Sequence, residues 1–216
     1  MRGMNRLDHL VVAARDLDAG ADYLRQTLGV DIPRGGRHQT MATHNCVMSL
    51  GGDTYLELIA IDPDGERPPH PRWFALDSAA LRASIAERPR LITWVINTPD
   101  LAALAASTEF DIGLPTELSR DDLHWAFALP DDGRLLAHGL LPYCIQWHSS
   151  HPAARMADPG CRLQQLTLHH NRPEWLHQRL EQMDAATLVQ IENIDADATP
   201  RLSAIIDSPN GVVTLD

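Results

Sequence analysis

The feature that most constrains this chain is a recurrence. The short, mostly apolar run Arg6-Leu7-Asp8-His9-Leu10-Val11-Val12 has counterparts at Arg90-Leu91-Ile92-Thr93-Trp94-Val95-Ile96 and Arg162-Leu163-Gln164-Gln165-Leu166-Thr167-Leu168. Each reads as a buried strand that opens on Arg-Leu and soon gives way to a helix start. A pattern that restarts at long intervals predicts a fold assembled from repeated units. Only the first copy carries a side chain of metal-ligating grade, His9, three residues after its arginine.

The first unit reads as a strand over 7–13 and a helix capped by Asp16, with Leu17, Ala21, Leu24 and Leu28 on one face and Gly29 at its end. Strands follow near 36–41, 45–50 and 54–61, the last two joined by a Gly51-Gly52-Asp53 turn. The plan is strand, helix, three strands, over 5–61. Residues 62–89 form a connection, rich in proline up to Arg72 and ending in a short helix over 77–88. A second module fills 90–155, with Pro99 opening its helix and strands near 114–118, 124–129 and 141–147. A third, βαβββ-like module fills 162–216, with Pro173 opening the helix and strands near 187–190, 202–206 and 212–215.

Charge and cysteine usage narrow the function. The chain has 216 residues, 44% of them hydrophobic, and a formal net charge of −11 with no Lys/Arg cluster, which argues against nucleic acid and anionic membrane as partners. Three scattered cysteines, Cys46, Cys144 and Cys161, form neither a disulfide framework nor a zinc motif, and a reducing cytoplasm is expected. Residues 1–6 lack the apolar run of a signal peptide, and no segment reaches the roughly 18 apolar residues of a membrane helix. Neither HExxH, a GxSxG elbow, a phosphate-cradling glycine loop nor a dinucleotide fingerprint is present.

Side-chain direction selects the chemistry. Neighbours in a strand point to opposite faces, so His9 shares a face with Leu7 and Val11 while Leu10 and Val12 face the helix. In the fourth strand Glu57 shares a face with Tyr55 and Ile59. If the two strands are neighbours, about 4.8 Å apart, an imidazole nitrogen and a carboxylate oxygen reach one divalent ion at about 2.1 Å. A carboxylate in so apolar a strand is costly unless paired, protonated or metal-bound. His148, His151, His169 and His170 read as solvated, and Cys46 and Cys144 as inert.

The strand-helix-three-strand module with His in its first strand (Leu7-Asp8-His9-Leu10-Val11-Val12) and Glu in its last (Tyr55-Leu56-Glu57-Leu58-Ile59) resembles the vicinal oxygen chelate superfamily. More narrowly, Thr43-His44-Asn45, Tyr55-Leu56-Glu57-Leu58-Ile59 and Leu141-Pro142-Tyr143-Cys144-Ile145-Gln146-Trp147 resemble its glyoxalase-like domain branch. The resemblance covers most of 5–155 and, more weakly, 162–216. It implies an α+β fold of repeated βαβββ modules, glyoxalase/bleomycin resistance/dioxygenase-like, whose curled mixed sheets form a cup. It also implies a divalent metal held by His and Glu of the first and last strands of two modules. Substrates then chelate through adjacent oxygens, and the metal stabilises an enolate or related oxyanion.

Alignment on the Arg-Leu starts puts Thr93 and Gln165 where His9 stands, and Ile145 or Gln146, then Thr214, where Glu57 stands. Two strong ligands remain instead of four, fewer than the roughly three protein ligands of an open catalytic site, unless Gln146, Gln165 or His44 joins. His9 and Glu57 are thus the expected metal ligands, with Glu57 also a proton shuttle. His44, Asn45, Tyr55, Trp125, Gln146 and Trp147 are the expected substrate-binding residues. Two functions follow: a metal-assisted lyase, isomerase or dioxygenase, or a metal-free protein that binds or sequesters a small molecule in the same cup. The cup is completed either within one chain or across a homodimer.

Overall fold

The computed structural model describes residues 5–216, and the expectation for residues 1–4 lies outside them. The first unit runs β1 (Arg6–Ala13), α1 (Leu17–Leu28), β2 (Arg34–His38), β3 (Thr43–Ser49), β4 (Tyr55–Ile61). After α2 (Ala79–Glu87) comes the second: β5 (Arg90–Asn97), α3 (Leu101–Ser107), β6 (Leu114–Arg120), β7 (Leu123–Leu129), β8 (Tyr143–Trp147). The third is β9 (Arg162–His170), α4 (Pro173–Gln182), β10 (Gln190–Asn193), β11 (Arg201–Ser208), β12 (Gly211–Leu215). The fold is α+β. Helix α1 starts where the Asp16 carboxylate accepts the Ala19 N–H at 2.7 Å, and it stops at Gly29, whose φ of 76° only glycine adopts without cost.

Eight strands form one mixed sheet in the order β2-β3-β4-β1-β5-β8-β7-β6. Within each of the first two units the last strand lies parallel to the first, β4 beside β1 and β8 beside β5, and the units join through antiparallel β1 and β5. The sheet curls until its two ends approach each other, and Arg120 at the end of β6 reaches His38 at the end of β2, Nη1 to Nε2 3.1 Å. The strand alternation then sorts the side chains. Leu10, Leu56, Leu58, Trp94 and Cys144 face the helices, whereas Val11, Ile59, Val95, Phe127 and Tyr143 line the hollow side.

The third unit keeps the strand-helix-three-strand order but pairs differently, as β10-β9-β11-β12. β11 lies antiparallel to β9, and the last strand sits at the edge. The first strands of the other units each give one edge to a sister unit. β9 has no sister, so its own β10 and β11 cover both edges. Its apolar face, with Leu166, Leu168, Leu176 and Leu202, merges into the core under α1 and α3. The first two units therefore build the cup within one chain.

Local differences from the sequence reading have local causes. The segment expected as a strand over 36–41 is β2 at Arg34–His38 followed by a helical turn at Gln39–Met41, which reverses the chain through Ala42 at φ 46°. The strand expected at 187–190 begins at Gln190, because Ala186–Leu188 forms another such turn. The connection also does more than join units. Buried Arg72 pairs with Asp77 at 2.6 Å, and this turns Trp73 and Phe74 inward against Phe127 and Tyr143.

Candidate functional site

The parallel register of β1 and β4 sets His9 opposite Tyr55 and Val11 opposite Glu57, so the imidazole and the carboxylate share the hollow face one residue pair apart. His9 Nε2 stands 3.7 Å from Glu57 Oε2. The His9 ring stacks on Tyr55, with centroids 4.6 Å apart. Both polar groups are buried, at 4% and 6% exposure, inside a sheet that offers no bulk water to solvate them.

Their polarity is satisfied by a chain of contacts. The β1–β5 register slips between Leu7 and His9, and this bulge brings the Asp8 carboxylate alongside its neighbour, Oδ1 to His9 Nδ1 2.6 Å. Asp8 Oδ2 accepts from Trp147 Nε1 and His151 Nε2, both at 2.9 Å. Burial alone would raise the Asp8 pKa, but the hydrogen bonds and charge of His151 and His9 outweigh it and hold it at about 2. An ionised Asp8 accepts a hydrogen bond from His9 Nδ1–H, which leaves Nε2 as the nitrogen presented to the cup. On the other side, Asn45 Nδ2 donates to Glu57 Oε1 at 2.6 Å, and Asn45 Oδ1 accepts the Gly36 N–H at 2.8 Å. Burial, with the Asp8 and Glu57 carboxylates beside it, pushes the Tyr55 phenol well above its ordinary value, so it stays neutral.

The remaining walls are aromatic. Trp125 and Trp147 meet at 5.5 Å on one side, and Trp73, Phe74 and Phe127 close the other. At the rim, Arg120 lies over Gly36 with Nη1 on His38. Burial and the adjacent guanidinium push His38 down to about 3, so its neutral ring accepts from Arg120 while Nδ1 faces Thr43 Oγ1 at 3.1 Å.

Of the residues expected at the site, His9, Asn45, Tyr55, Glu57, Trp125 and Trp147 line the cup. His44 and Gln146 do not. The alternation of β3 turns His44 to the face of Cys46 and Met48, and Gln146 Oε1 accepts the Leu101 N–H at 2.8 Å at the start of α3. Gln165 lies in the second sheet, bonded to Thr167. The histidines read as solvated also divide. His148 is half-exposed beside Glu117, but His151 holds Asp8, His169 bonds Ser203 at 2.8 Å, and His170 accepts the Arg172 N–H. Asp8, His38, Trp73, Phe74 and Arg120 were missed by sequence reasoning. The Gly35-Gly36 pair in a strand and the isolated Trp73-Phe74 pair after a proline run were the available signals.

The strand register also corrects the comparison between units. Tyr143 pairs with Val95 as Tyr55 pairs with His9, and Ile145 pairs with Asn97 as Glu57 pairs with Val11. Val95, not Thr93, therefore stands where His9 does, and Ile145 stands where Glu57 does. Thr93 instead donates to the Gly139 carbonyl at 3.2 Å. The second unit contributes only apolar groups at these positions. His9 and Glu57 are close enough to share an ion, yet among the described residues no set of three or more His, Cys, Asp or Glu converges to hold one. The next polar groups are engaged: His38 by Arg120 and Thr43, Asn45 by Gly36 and Glu57. This donor set does not fit a resident catalytic divalent ion.

The sequence matches the family model described as "Glyoxalase-like domain" over residues 7–183. The chain belongs to the glyoxalase-like domain family. No curated protein matches it. Among solved structures, a hypothetical protein from Staphylococcus aureus shares this fold, at a TM-score of 0.58 and 14% identity over 98% of this chain and 84% of that one. Methylmalonyl-CoA epimerase from Mycobacterium tuberculosis matches at a TM-score of 0.40 and 17% identity, over 66% of this chain and 86% of that one. A 4-hydroxymandelate synthase variant from Streptomyces coelicolor matches at 0.48 and 14% identity, over 99% and 62%. Within the described residues of this glyoxalase-like chain, no helix is long and apolar enough to cross a membrane.

Proposed function

We propose that this glyoxalase-like protein is a proton-transfer enzyme of the isomerase or lyase kind, acting on a small molecule with an acidic C–H next to a carbonyl. The observation that carries this reading is the convergence of two buried proton-transfer groups, His9 Nε2 and Glu57 Oε2, at 3.7 Å on the floor of an aromatic cup. Glu57 removes the proton from carbon, and the bonding pair moves to the carbonyl oxygen. The Glu57 carboxyl, now protonated, returns that proton at the neighbouring position, and His9, held by Asp8, faces the same atoms. The aromatic walls exclude water, which strengthens both electrostatic contacts.

The test is solvent exchange. Protein stripped with a chelator is incubated in deuterium oxide with a panel of 2-oxo acids, 2-oxoaldehydes and neutral 2-oxo esters, and deuterium at the carbon beside the carbonyl is followed by NMR. Wild type should exchange at least one class above the buffer rate, and Glu57→Gln should slow this by roughly 10²-fold or more. Exchange equal in Glu57→Gln, or none with any class, overturns the proposal. Tight binding without exchange favours instead a protein that sequesters its ligand in the cup.

A further inference from the structure

The chemistry at the rim identifies the ligand class. Arg120 contributes a guanidinium to the cup, and no carboxylate among the described residues lies within ion-pair distance of it. Among the described residues only its Nη1 forms hydrogen bonds, to His38 Nε2 at 3.1 Å and to Asn45 Oδ1 at 3.5 Å. Nε and Nη2 have no hydrogen-bond partner among the described residues. In a chain with a net charge of −11, a cation left without a carboxylate at a cavity rim is an arrangement that needs a reason. Arg37 beside it is, by contrast, taken up by Asp62 and Asp64.

The surroundings are built to hold that cation in place and keep it apart from the base. A Cβ on Gly36 would lie 2.7 Å from Arg120 Cδ and 2.8 Å from Nε, and one on Gly35 would lie 2.2 Å from Asn45 Oδ1. The paired glycines therefore make room for both side chains. Neutral His38 receives the guanidinium without competing for its charge. Asn45 stands between Glu57 and Arg120: it binds Glu57 Oε1 through Nδ2 and turns its oxygen toward Arg120. Glu57 has no arginine or lysine beside it, and Arg120 is left without a carboxylate, among the described residues.

We infer that the cup takes an aromatic or similarly flat carboxylate, its carboxylate bound by the Arg120 fork and its ring between Trp125 and Trp147 on one wall and Trp73 on the other. A planar guanidinium matches a carboxylate through two parallel N–H donors, and the indole walls suit a flat apolar body. The inference rests on the cup being the ligand site, as the proposed function requires, but not on proton transfer there.

Its test uses benzoate and phenylacetate against benzamide and phenylacetamide, with propionate as the non-aromatic control. Binding is read by tryptophan fluorescence and calorimetry. Wild type should bind the aromatic carboxylates roughly tenfold or more tighter than the amides, and tighter than propionate. Arg120→Gln should remove that preference and leave amide binding unchanged. Arg120→Lys, with the charge but not the fork, should restore only part of it. Unchanged circular dichroism and Tm separate these results from misfolding. Equal affinity for acids and amides in wild type, equal losses for both in Arg120→Gln, propionate binding as tightly as phenylacetate, or no binding at all overturns the inference. Carboxylate binding that survives in Glu57→Gln without deuterium exchange in wild type overturns the proposed function and leaves this one standing.

Discussion

Asp8 and His9 are sequence neighbours whose side chains hydrogen-bond to each other at 2.6 Å, which a regular strand forbids and the bulge between Leu7 and His9 permits. Through that bulge one carboxylate orients the cup imidazole and, by way of Trp147 and His151, ties down the segment after β8.

Asp8→Asn should therefore affect both activity and stability. The amide cannot accept from all three donors, and an unmatched buried donor costs about 1–3 kcal/mol. The folded-state pKa near 2 lies below the ordinary value of 3.8, so the ionised carboxylate stabilises the fold fully above about pH 4 and loses this as pH falls toward 2. Denaturant unfolding of wild type should show an acid loss that Asp8→Asn lacks, and Asp8→Asn should slow exchange. An equal acid limb in both proteins would sink the assignment.

His38 makes a prediction in a different pH window. The folded protein keeps it neutral down to about pH 3, while the unfolded chain protonates it near 6.5. Between those values the unfolded state binds the extra proton, so stability falls with falling pH by roughly 1 kcal/mol per unit. His38→Gln should flatten that slope between pH 6.5 and 4 by urea titration. An unchanged slope would show that the ring is protonated in the folded state.

Divalent ions should leave the protein unmoved. Because Val95 and Ile145 occupy the second-unit positions that would complete a donor set, magnesium, manganese, nickel or zinc at 1:1 should give no Tm shift, and deuterium exchange should survive chelation. A stoichiometric ion that disappears in both His9→Ala and Glu57→Gln would contradict this.

The three thiols should resist modification. Cys46, Cys144 and Cys161 have no exposed surface, and burial raises each thiol pKa. A thiol reagent should label none of them in native buffer and all three in guanidinium. Fast labelling of any one in native buffer would refute its burial.

The unit plan was legible before any coordinates, because amphipathic spacing and helix stops are local physics. Asp16, Gly29 and Pro173 mark their helices by interactions with their own neighbours in the chain, whereas the helix expected to open at Pro99 starts at Leu101, where the Asp100 carboxylate accepts the Ala103 N–H. Strand alternation also put His9, Tyr55 and Glu57 on one face, since side-chain direction in a strand depends on parity alone. The same parity argument misplaced nothing within β4, but it could not say which face of β3 or β8 turned inward, and so it included His44 and Gln146.

What only the tertiary structure decided was register and closure. The Arg-Leu recurrence aligned Thr93 with His9, but the pairing of β5 with β8 puts Val95 there, two residues on, because hydrogen-bonded neighbours and not composition set equivalence between strands. Arg120 is separated from His38 by 82 positions along the chain, and only the curl of an eight-stranded sheet brings the end of β6 against the end of β2. Local sequence determines which way a side chain points from its own strand. Which distant side chain it meets depends on the twist and pairing of every strand between them, and no residue carries that information alone.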